Sequence, residues 1–351
     1  MSLLLREAEI RSAEAEEPVQ TVYIGGGTPS LIPPSLLYKL VKGLQQILPL
    51  EDVIEFTTEA NPGTLTDRWL ETALESGINR ISFGMQSSCD QILSLLGRIH
   101  RCSDVWKSMY MARNTGFNNI NLDLMFGIPS QTSENWTDTL NTAIQMNPEH
   151  ISSYGLIPEE GTPLFEALQN KKYTLPDPDD EREMYETCKK KLTENGFLQY
   201  EISNFAKKGY ECKHNIGYWR QIPYIGLGVS AASMIHLHIN DKGMQYTRKK
   251  NPDSFEDYEY AIDHLELNRN EEMITNRESR FETMMLGLRM IDGVSKTEFL
   301  KKHRLTIEHC YGKKLTELRS NGLIIEQEGC WKLTSRGFDV QNSVLVELMD
   351  E

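Results

Sequence analysis

The sequence predicts an α/β protein: a parallel β-sheet of barrel or doubly wound type, followed by a smaller winged-helix-like α+β module. Three observations carry that prediction. Between Thr21 and Leu156, five short β-branched or apolar runs alternate with amphipathic helical stretches, in units of about 25–40 residues, the spacing of strand–crossover–strand connections. The carboxyl ends of those runs carry polar residues or glycines: Gly25 to Thr28, Glu59, Gln86, Asp123 and Tyr154. From Arg277 onward the pattern becomes three helices and a short hairpin.

Taken in order, Leu3 to Ala15 reads as a helix that opens without a strand or cap before it. Thr21 to Ile24 is a strand stopped by Gly25-Gly26-Gly27-Thr28-Pro29, where residues without Cβ atoms let bare backbone approach a ligand. Pro33-Pro34-Ser35 starts a helix whose Leu37, Leu40, Val41 and Leu44 keep the 3.6-residue period. Strands follow at Ile54 to Ala60, Arg80 to Gln86, Asn119 to Gly127 and His150 to Leu156. The helices between them run over Thr66 to Ser76, Ser88 to Leu96, Ser103 to Thr115 and Ser133 to Met146, the first and third closed by Gly77 and Gly116. The arrangement predicts a polar ring above apolar staves, with a ligand at the carboxyl ends of the strands.

Asp177-Pro178 with Asp179, Asp180 and Glu181 reads as the capped, acidic first turn of a helix. Phe197 to Phe205 and Tyr224 to Ser233 read as strands flanking a loop, Lys208 to Pro223, rich in His, Cys and aromatics. These boundaries predict a sheet domain over residues 1–240, a polar connecting region over 241–276 and the carboxyl-terminal module over 277–351. In that module helices are expected at Arg277 to Ile291, Lys296 to His303 and Thr306 to Asn321, then a hairpin over Leu323 to Thr334 and a last helix from Arg336.

Composition narrows the functions. With 51 acidic against 37 basic residues the chain carries −14, which argues against nucleic acid as a partner. The terminal module holds 12 basic and 12 acidic residues, too balanced for a phosphate-binding wing. No apolar run approaches the ~20 residues of a membrane span, so a cytoplasmic location is expected, with peripheral membrane contact left open. The six cysteines stand at least 13 positions apart and form no CxxC pair.

Seven motifs occur in a telling order: Gly25-Gly26-Gly27-Thr28-Pro29, Glu59-Ala60-Asn61-Pro62-Gly63-Thr64, Ser82-Phe83-Gly84-Met85-Gln86-Ser87, Leu96-Gly97-Arg98-Ile99-His100, Asn121-Leu122-Asp123-Leu124, Glu160-Gly161-Thr162-Pro163 and Cys212-Lys213-His214-Asn215-Ile216-Gly217-Tyr218-Trp219. Together they resemble the radical S-adenosylmethionine family of oxygen-independent coproporphyrinogen oxidases, and most closely its haem-chaperone branch, over nearly the whole chain. The resemblance implies an incomplete (β/α) parallel barrel of the radical SAM type. It implies S-adenosylmethionine as a cofactor, with Gly26, Gly27 and Thr28 at its methionyl end and Glu59 supplying a carboxylate nearby. Gln86 and Asp123 would meet ribose or amine groups, Arg98 the ligand carboxylate, and Gly155 and Ala232 would line the site. Read from periodicity alone, Arg98 is equally a helix-face partner of a surface acid and Asp123 a capping residue.

The family also has an amino-terminal strand and a Cys-x3-Cys-x2-Cys loop for a 4Fe–4S cluster, and this sequence shows neither. A shortened sequence is therefore expected, unable to assemble the cluster and catalytically inactive as it stands. The resemblance further implies haem or a porphyrin as ligand, with haem-accepting proteins as partners. The complete His-Asn-x-x-Tyr-Trp pattern favours the chaperone branch over coproporphyrinogen III oxidation, and a catalytically silent scaffold is a third reading. His214 is the candidate axial ligand, with Tyr218 and Trp219 as aromatic walls and Cys212 as the rival. Without the family's first strand, Thr21 to Gly26 is expected to have one side unpaired and to invite an added strand or a homodimer.

Overall fold

The computed structural model describes residues 1–15, 17–241, 243–267 and 271–349, and the side chains of all of these except 236–240. The chain divides into two units. One comprises Gln20–Lys42 and Val53–Cys212, the other Met1–Val19, Gly43–Asp52 and Lys213–Glu351.

The first unit is built on a seven-stranded sheet of β1 (Thr21–Ile24), β2 (Glu55–Ala60), β3 (Arg80–Gln86), β4 (Ile120–Phe126), β5 (His150–Gly155), β6 (Leu198–Gln199) and β7 (Asn204–Ala206). Its order is β1-β2-β3-β4-β5-β7-β6. The first five strands are parallel and lie in chain order, whereas β7 runs antiparallel to β5 and β6 antiparallel to β7. The single strand expected over Phe197 to Phe205 is thus a small hairpin. Its reversal is fixed by Tyr200 N–H donating to the Asn204 carbonyl and Ser203 N–H donating to the Glu201 carboxylate, polar pairings hidden inside an otherwise strand-like run.

The connecting helices form where caps and apolar period coincide. Thr66 accepts a hydrogen bond from Trp69 N–H at the start of Asp67–Ser76, and Gly77, at φ 104°, ends it. Thr132 and Asn135 cap Ser133–Gln145 reciprocally. The apolar faces, Trp69, Leu70 and Ala73, then Val105, Met109 and Ala112, then Trp136, Leu140 and Ala143, pack on Phe56, Ile81, Phe83, Ile120, Leu122, Leu124 and Ile151 of the sheet.

The opposite face of the sheet corrects the expectation of apolar staves beneath a polar ring. In register across the strands it presents Glu55, Thr57 and Glu59, then Arg80 and Ser82, then Asn121 and Asp123, then His150, Ser152 and Tyr154. The helix-covered face is the apolar one, with Thr58 and Ser153 its polar exceptions, so the strands largely alternate although burial on both sides makes them look uniformly β-like.

In the second unit the helix Ser2–Arg11 supplies a buried ion pair, Arg11 Nε to Glu7 Oε1 at 3.1 Å. Glu7 also accepts hydrogen bonds from Gly228 N–H (2.7 Å), Tyr258 Oη (2.6 Å) and Asn251 Nδ2 (2.7 Å). Every neighbour of this charge donates to it, which offsets its desolvation.

The polar region 241–276 carries two strands and a helix. Strands β8 (Ala232–Asn240), β9 (Gly243–Lys250) and β10 (Glu271–Ile274) make an antiparallel sheet in the order β10-β9-β8, with the helix Phe255–Asp263 between β9 and β10. Met234, Met244, Tyr246 and Ile274 form its small core, few enough that the polar residues dominate the sequence pattern. Tyr224 to Ser233, expected as a strand, is instead a tight loop up to the start of β8. Gly226 N–H donates to Ser233 Oγ at 2.9 Å, and a Cβ on Gly226 would overlap the Ala232 carbonyl.

The terminal module contains helices Asn276–Gly287, Lys296–His303 and Ile307–Ser320, and a sheet of β11 (Val294–Ser295), β12 (Ile324–Gln327) and β13 (Cys330–Leu333) in the order β11-β13-β12. Phe299, Ile307, Leu315, Ile324, Trp331 and Val344 are central to its core. A polar network ties it to β9 and to the end of the helix Lys213–Trp219. Lys302 Nζ donates to Gln221 Oε1 at 2.6 Å, Gln221 Nε2 to Tyr246 Oη at 3.0 Å, and Tyr246 Oη to Glu282.

Burial lowers the Lys302 ammonium from its ordinary 10.5 to about 8, although Glu282 and Glu298 oppose the shift. Between those pH values the unfolded chain binds a proton that the folded chain has released. Stability of this unit is therefore expected to rise with pH across that window, by about 2 kcal/mol from this group after solvent screening of its charge. Denaturant titrations at both ends of the window should show that rise in the wild type and a smaller one in Lys302→Met; equal slopes would contradict the assignment.

Candidate functional site

The carboxyl ends of β1 to β5 bring together eight of the ten residues singled out in the sequence: Gly26, Gly27, Thr28, Glu59, Gln86, Arg98, Asp123 and Gly155 all belong to the sheet unit. Ala232, exposed at the start of β8, and His214, on the helix Lys213–Trp219, belong to the other unit.

After β1 the glycines form an open rim. Gly26 has φ 77°, and added Cβ atoms on Gly26 or Gly27 would meet nothing within 4 Å, so both backbones stand clear for a ligand. Gly25 admits no side chain, because its Cβ would lie 2.6 Å from Tyr23 Cε1 and 2.8 Å from Glu59 Oε1. Thr28 Oγ1 accepts a hydrogen bond from Asn61 Nδ2 at 3.2 Å, and Ser30 and Thr64 hydroxyls meet at 2.6 Å behind it.

Two carboxylates face this rim. Tyr23 Oη donates to Glu59 Oε1 at 2.7 Å. Burial pushes the Glu59 carboxyl up; the charge of Asp123 adds to the shift, while the Tyr23 hydroxyl and the Gly26 backbone oppose it. Burial and the Glu59 charge also raise the Tyr23 phenol, which stays protonated as a donor. Asp123 accepts from Ser82 Oγ (2.9 Å) and Asn121 Nδ2 (2.8 Å). Among the described residues no cation lies within ion-pair distance of either carboxylate, and Arg98 has no acidic partner.

Gln86 is 3% exposed and holds a left-handed backbone, φ 62°, at the register shift that ends β3. A glutamine in that conformation is strained, and such strain gathers at functional sites. Its Oε1 lies 3.5 Å from Tyr154 Oη. A Cβ on Gly84 would sit 3.1 Å from Gln86 Nε2, 3.8 Å from Asn61 Oδ1 and 3.9 Å from Arg98 Nη1, so all three groups converge over Gly84.

Several residues at the site escaped the sequence reading. Glu181, read only as a first-turn acid, reaches the end of the sheet: its carboxylate is 2.7 Å from where a Cβ on Gly155 would be and 3.5 Å from that of Gly127. Asp177 does cap that helix, accepting from Asp179 N–H at 3.0 Å. Tyr23 was read only as a strand former, and His150 and Tyr200 lie outside every recognised motif. The period-2 alternation of polar residues along β5 was the available signal for His150; Tyr23, Tyr200 and Glu181 carry none.

The loop expected over Lys208 to Pro223 contains the helix Lys213–Trp219. One turn of it brings His214 Nε2 to 3.1 Å from Tyr218 Oη, the rings edge-on at 4.8 Å, and Tyr218 meets Tyr224 edge-on at 4.7 Å. Arg289 lies over the Trp219 ring at 5.7 Å. Cys212, the rival ligand, is 6% exposed in the sheet unit and donates to Glu55 Oε1 at 3.3 Å.

For a 4Fe–4S cluster the donor set does not fit. Among the described residues no group of three His, Cys, Asp or Glu side chains can hold a metal, and Cys188 is buried with its thiol on Ser153 Oγ at 3.2 Å. No described helix is long and apolar enough to cross a membrane.

Comparison with known proteins gives the family. A model of the Radical SAM superfamily matches residues 2–143, and one of the HemN C-terminal domain matches residues 274–340. The chain is 38% identical to the haem chaperone HemW of Bacillus subtilis (strain 168) over 335 residues, 95% of this chain and 86% of that protein. It is 35% identical to the haem chaperone HemW of Escherichia coli (strain K12) over 338 residues, 96% and 85% of the two. The solved structure of coproporphyrinogen III oxidase (HemN) from Escherichia coli, a radical SAM enzyme, shares the fold with a TM-score of 0.81 at 21% identity, covering 99% of this chain and 82% of that one. With relatives this similar along nearly its whole length, the chain belongs to the HemW haem-chaperone family of the Radical SAM superfamily.

Proposed function

We propose that this protein is a haem chaperone that binds S-adenosylmethionine at the carboxyl ends of β1 to β5 and haem through His214, and delivers the haem to acceptor proteins. The observation that carries the adenosyl site is electrostatic. Among the described residues no cation lies within ion-pair distance of Glu59 or Asp123, and only the charge of the buried Arg80 acts on Asp123 from behind, a setting that favours a ligand bearing a sulfonium and an ammonium group. Gly26, Gly27 and Thr28 would receive its methionyl end, Arg98 its carboxylate, Gln86 and Asp123 its ribose or amine groups, and Gly155 would line it. In the superfamily a 4Fe–4S cluster supplies electrons to such a ligand; the cysteines of this chain do not assemble its ligand set, and no step of the proposal runs through one.

For haem, the Nε2 of His214 would exchange the Tyr218 hydroxyl for iron, with Tyr218 and Tyr224 beside the macrocycle. The test is transfer. Haem-loaded protein mixed with an apo-acceptor should lose its Soret absorbance as the acceptor gains its own, while coproporphyrinogen III is left unchanged. Decarboxylation of that porphyrinogen without haem transfer would replace this reading with the oxidase one.

A further inference from the structure

Behind Asp123, on the polar face of the sheet, lies a chain of polar groups in which His150, Ser152 and Tyr200 stand outside every motif. Asn121 Nδ2 donates to Ser82 Oγ at 2.7 Å and to Asp123 Oδ1 at 2.8 Å. Asn121 Oδ1 meets His150 Nδ1 at 2.6 Å and accepts from Ser152 Oγ at 3.2 Å. His150 Nε2 lies 2.9 Å from Tyr200 Oη. Asn121 is 2% exposed and His150 1%.

These contacts have one consistent assignment of protons. Turned the other way, the Asn121 amide would place its carbonyl oxygen against the Asp123 carboxylate, acceptor against acceptor, so Nδ2 faces Asp123 and Oδ1 faces His150. His150 Nδ1 must then carry the proton. Its Nε2 is left as an acceptor, and the Tyr200 hydroxyl donates to it. The ring stays neutral: burial, and then the positive charge of Arg80, hold its pKa well below the ordinary value.

We infer that His150, locked by Asn121 and Tyr200 as the Nδ1–H tautomer, is a positioning residue that orients Asn121 and through it presents Asp123 as an acceptor-only carboxylate to a ligand group that donates, a ribose hydroxyl or an amine. The inference rests on the adenosyl site proposed above and adds its specificity. A ligand lacking the donating group leaves Asp123 buried against a non-donor and is rejected.

Asn121→Asp is the informative change. It sets a second carboxyl 2.8 Å from Asp123, where two charges cannot coexist cheaply, so one proton is taken up by the pair. Among the described residues, the charged and titratable groups facing the pair are His150 and Tyr200 behind it, Arg80 beside it, and Tyr23, Glu59, Arg98 and Tyr154 on the ligand side. Binding should become pH-dependent in the variant and stay flat in the wild type.

The experiment uses the full chain and two readouts. The first needs no ligand: nitrogen NMR of His150 should show a protonated Nδ1 and a bare Nε2 between about pH 5 and 8, and Tyr200→Phe should shift the Nε2 resonance by removing its donor while Asn121 keeps the proton on Nδ1. The second is calorimetry with S-adenosylhomocysteine. Affinity should fall about tenfold in His150→Phe and acquire a pH dependence in Asn121→Asp, while Tyr200→Phe, the mildest change, serves if either of these fails to fold. A wild type that binds no adenosyl ligand would sink the site reading and leave the tautomer result standing. A wild type that binds it, with a protonated Nε2 or with all three variants binding equally at every pH, overturns the inference.

Discussion

Replacing Asp123 with Ala is expected to weaken binding of an adenosyl ligand on the order of 100-fold, because a hydrogen bond to a charged acceptor contributes about 1.5–3 kcal/mol. The change also strips Ser82 Oγ and Asn121 Nδ2 of the carboxylate they both donate to, at 2.9 and 2.8 Å, and leaves buried donors short of a partner. A destabilisation of about 1–3 kcal/mol should accompany the lost affinity. Calorimetry with S-adenosylhomocysteine, beside a denaturant titration of the same sample, separates the two effects. A folded Asp123→Ala protein with wild-type affinity would remove Asp123 from the site.

Trp136→Ala should cost the sheet unit about 3–5 kcal/mol. The indole is 0% exposed, donates from Nε1 to the Met184 carbonyl at 2.7 Å, and packs against Phe126 at 5.6 Å between ring centroids. Its removal opens a cavity between the helices Ser133–Gln145 and Pro178–Glu194 and the sheet, while the Met184 carbonyl loses the indole donor but keeps its place in the helix, so the cavity is the main destabilising term. Trp136→Phe keeps most of the volume and isolates the hydrogen bond. A denaturation midpoint unchanged by the Ala substitution would show that the helix layer does not depend on this side chain.

What was legible in the sequence follows from how local its cause is. Strands β1 to β5 and the helices between them announce themselves because apolar period, caps and terminating glycines agree within each segment, as at Thr66 and Gly77. The strand-end residues were legible through motif order. The buried polar face was not, because Arg80 and His150 look like ordinary alternating positions until their register neighbours are known. The strands β9 and β10 were missed because their few core residues, Met244, Tyr246 and Ile274, are diluted by charged neighbours. Tyr224 to Ser233 looked like a strand because its β-branched and aromatic residues outweigh Gly226 and Gly228, whose absent side chains allow the turn.

The claim at the centre of the account is that haem binds this chain through the helix that follows Cys212. Titrating haem into the wild-type protein and into His214→Ala, and following the Soret band, tests it most directly. The account predicts a saturable Soret spectrum in the wild type, weakened binding and a shifted band in His214→Ala, and a Cys212→Ala protein that behaves as wild type, since that thiol is buried and bonded to Glu55. Equal affinity and identical Soret spectra in the wild type and His214→Ala would contradict it.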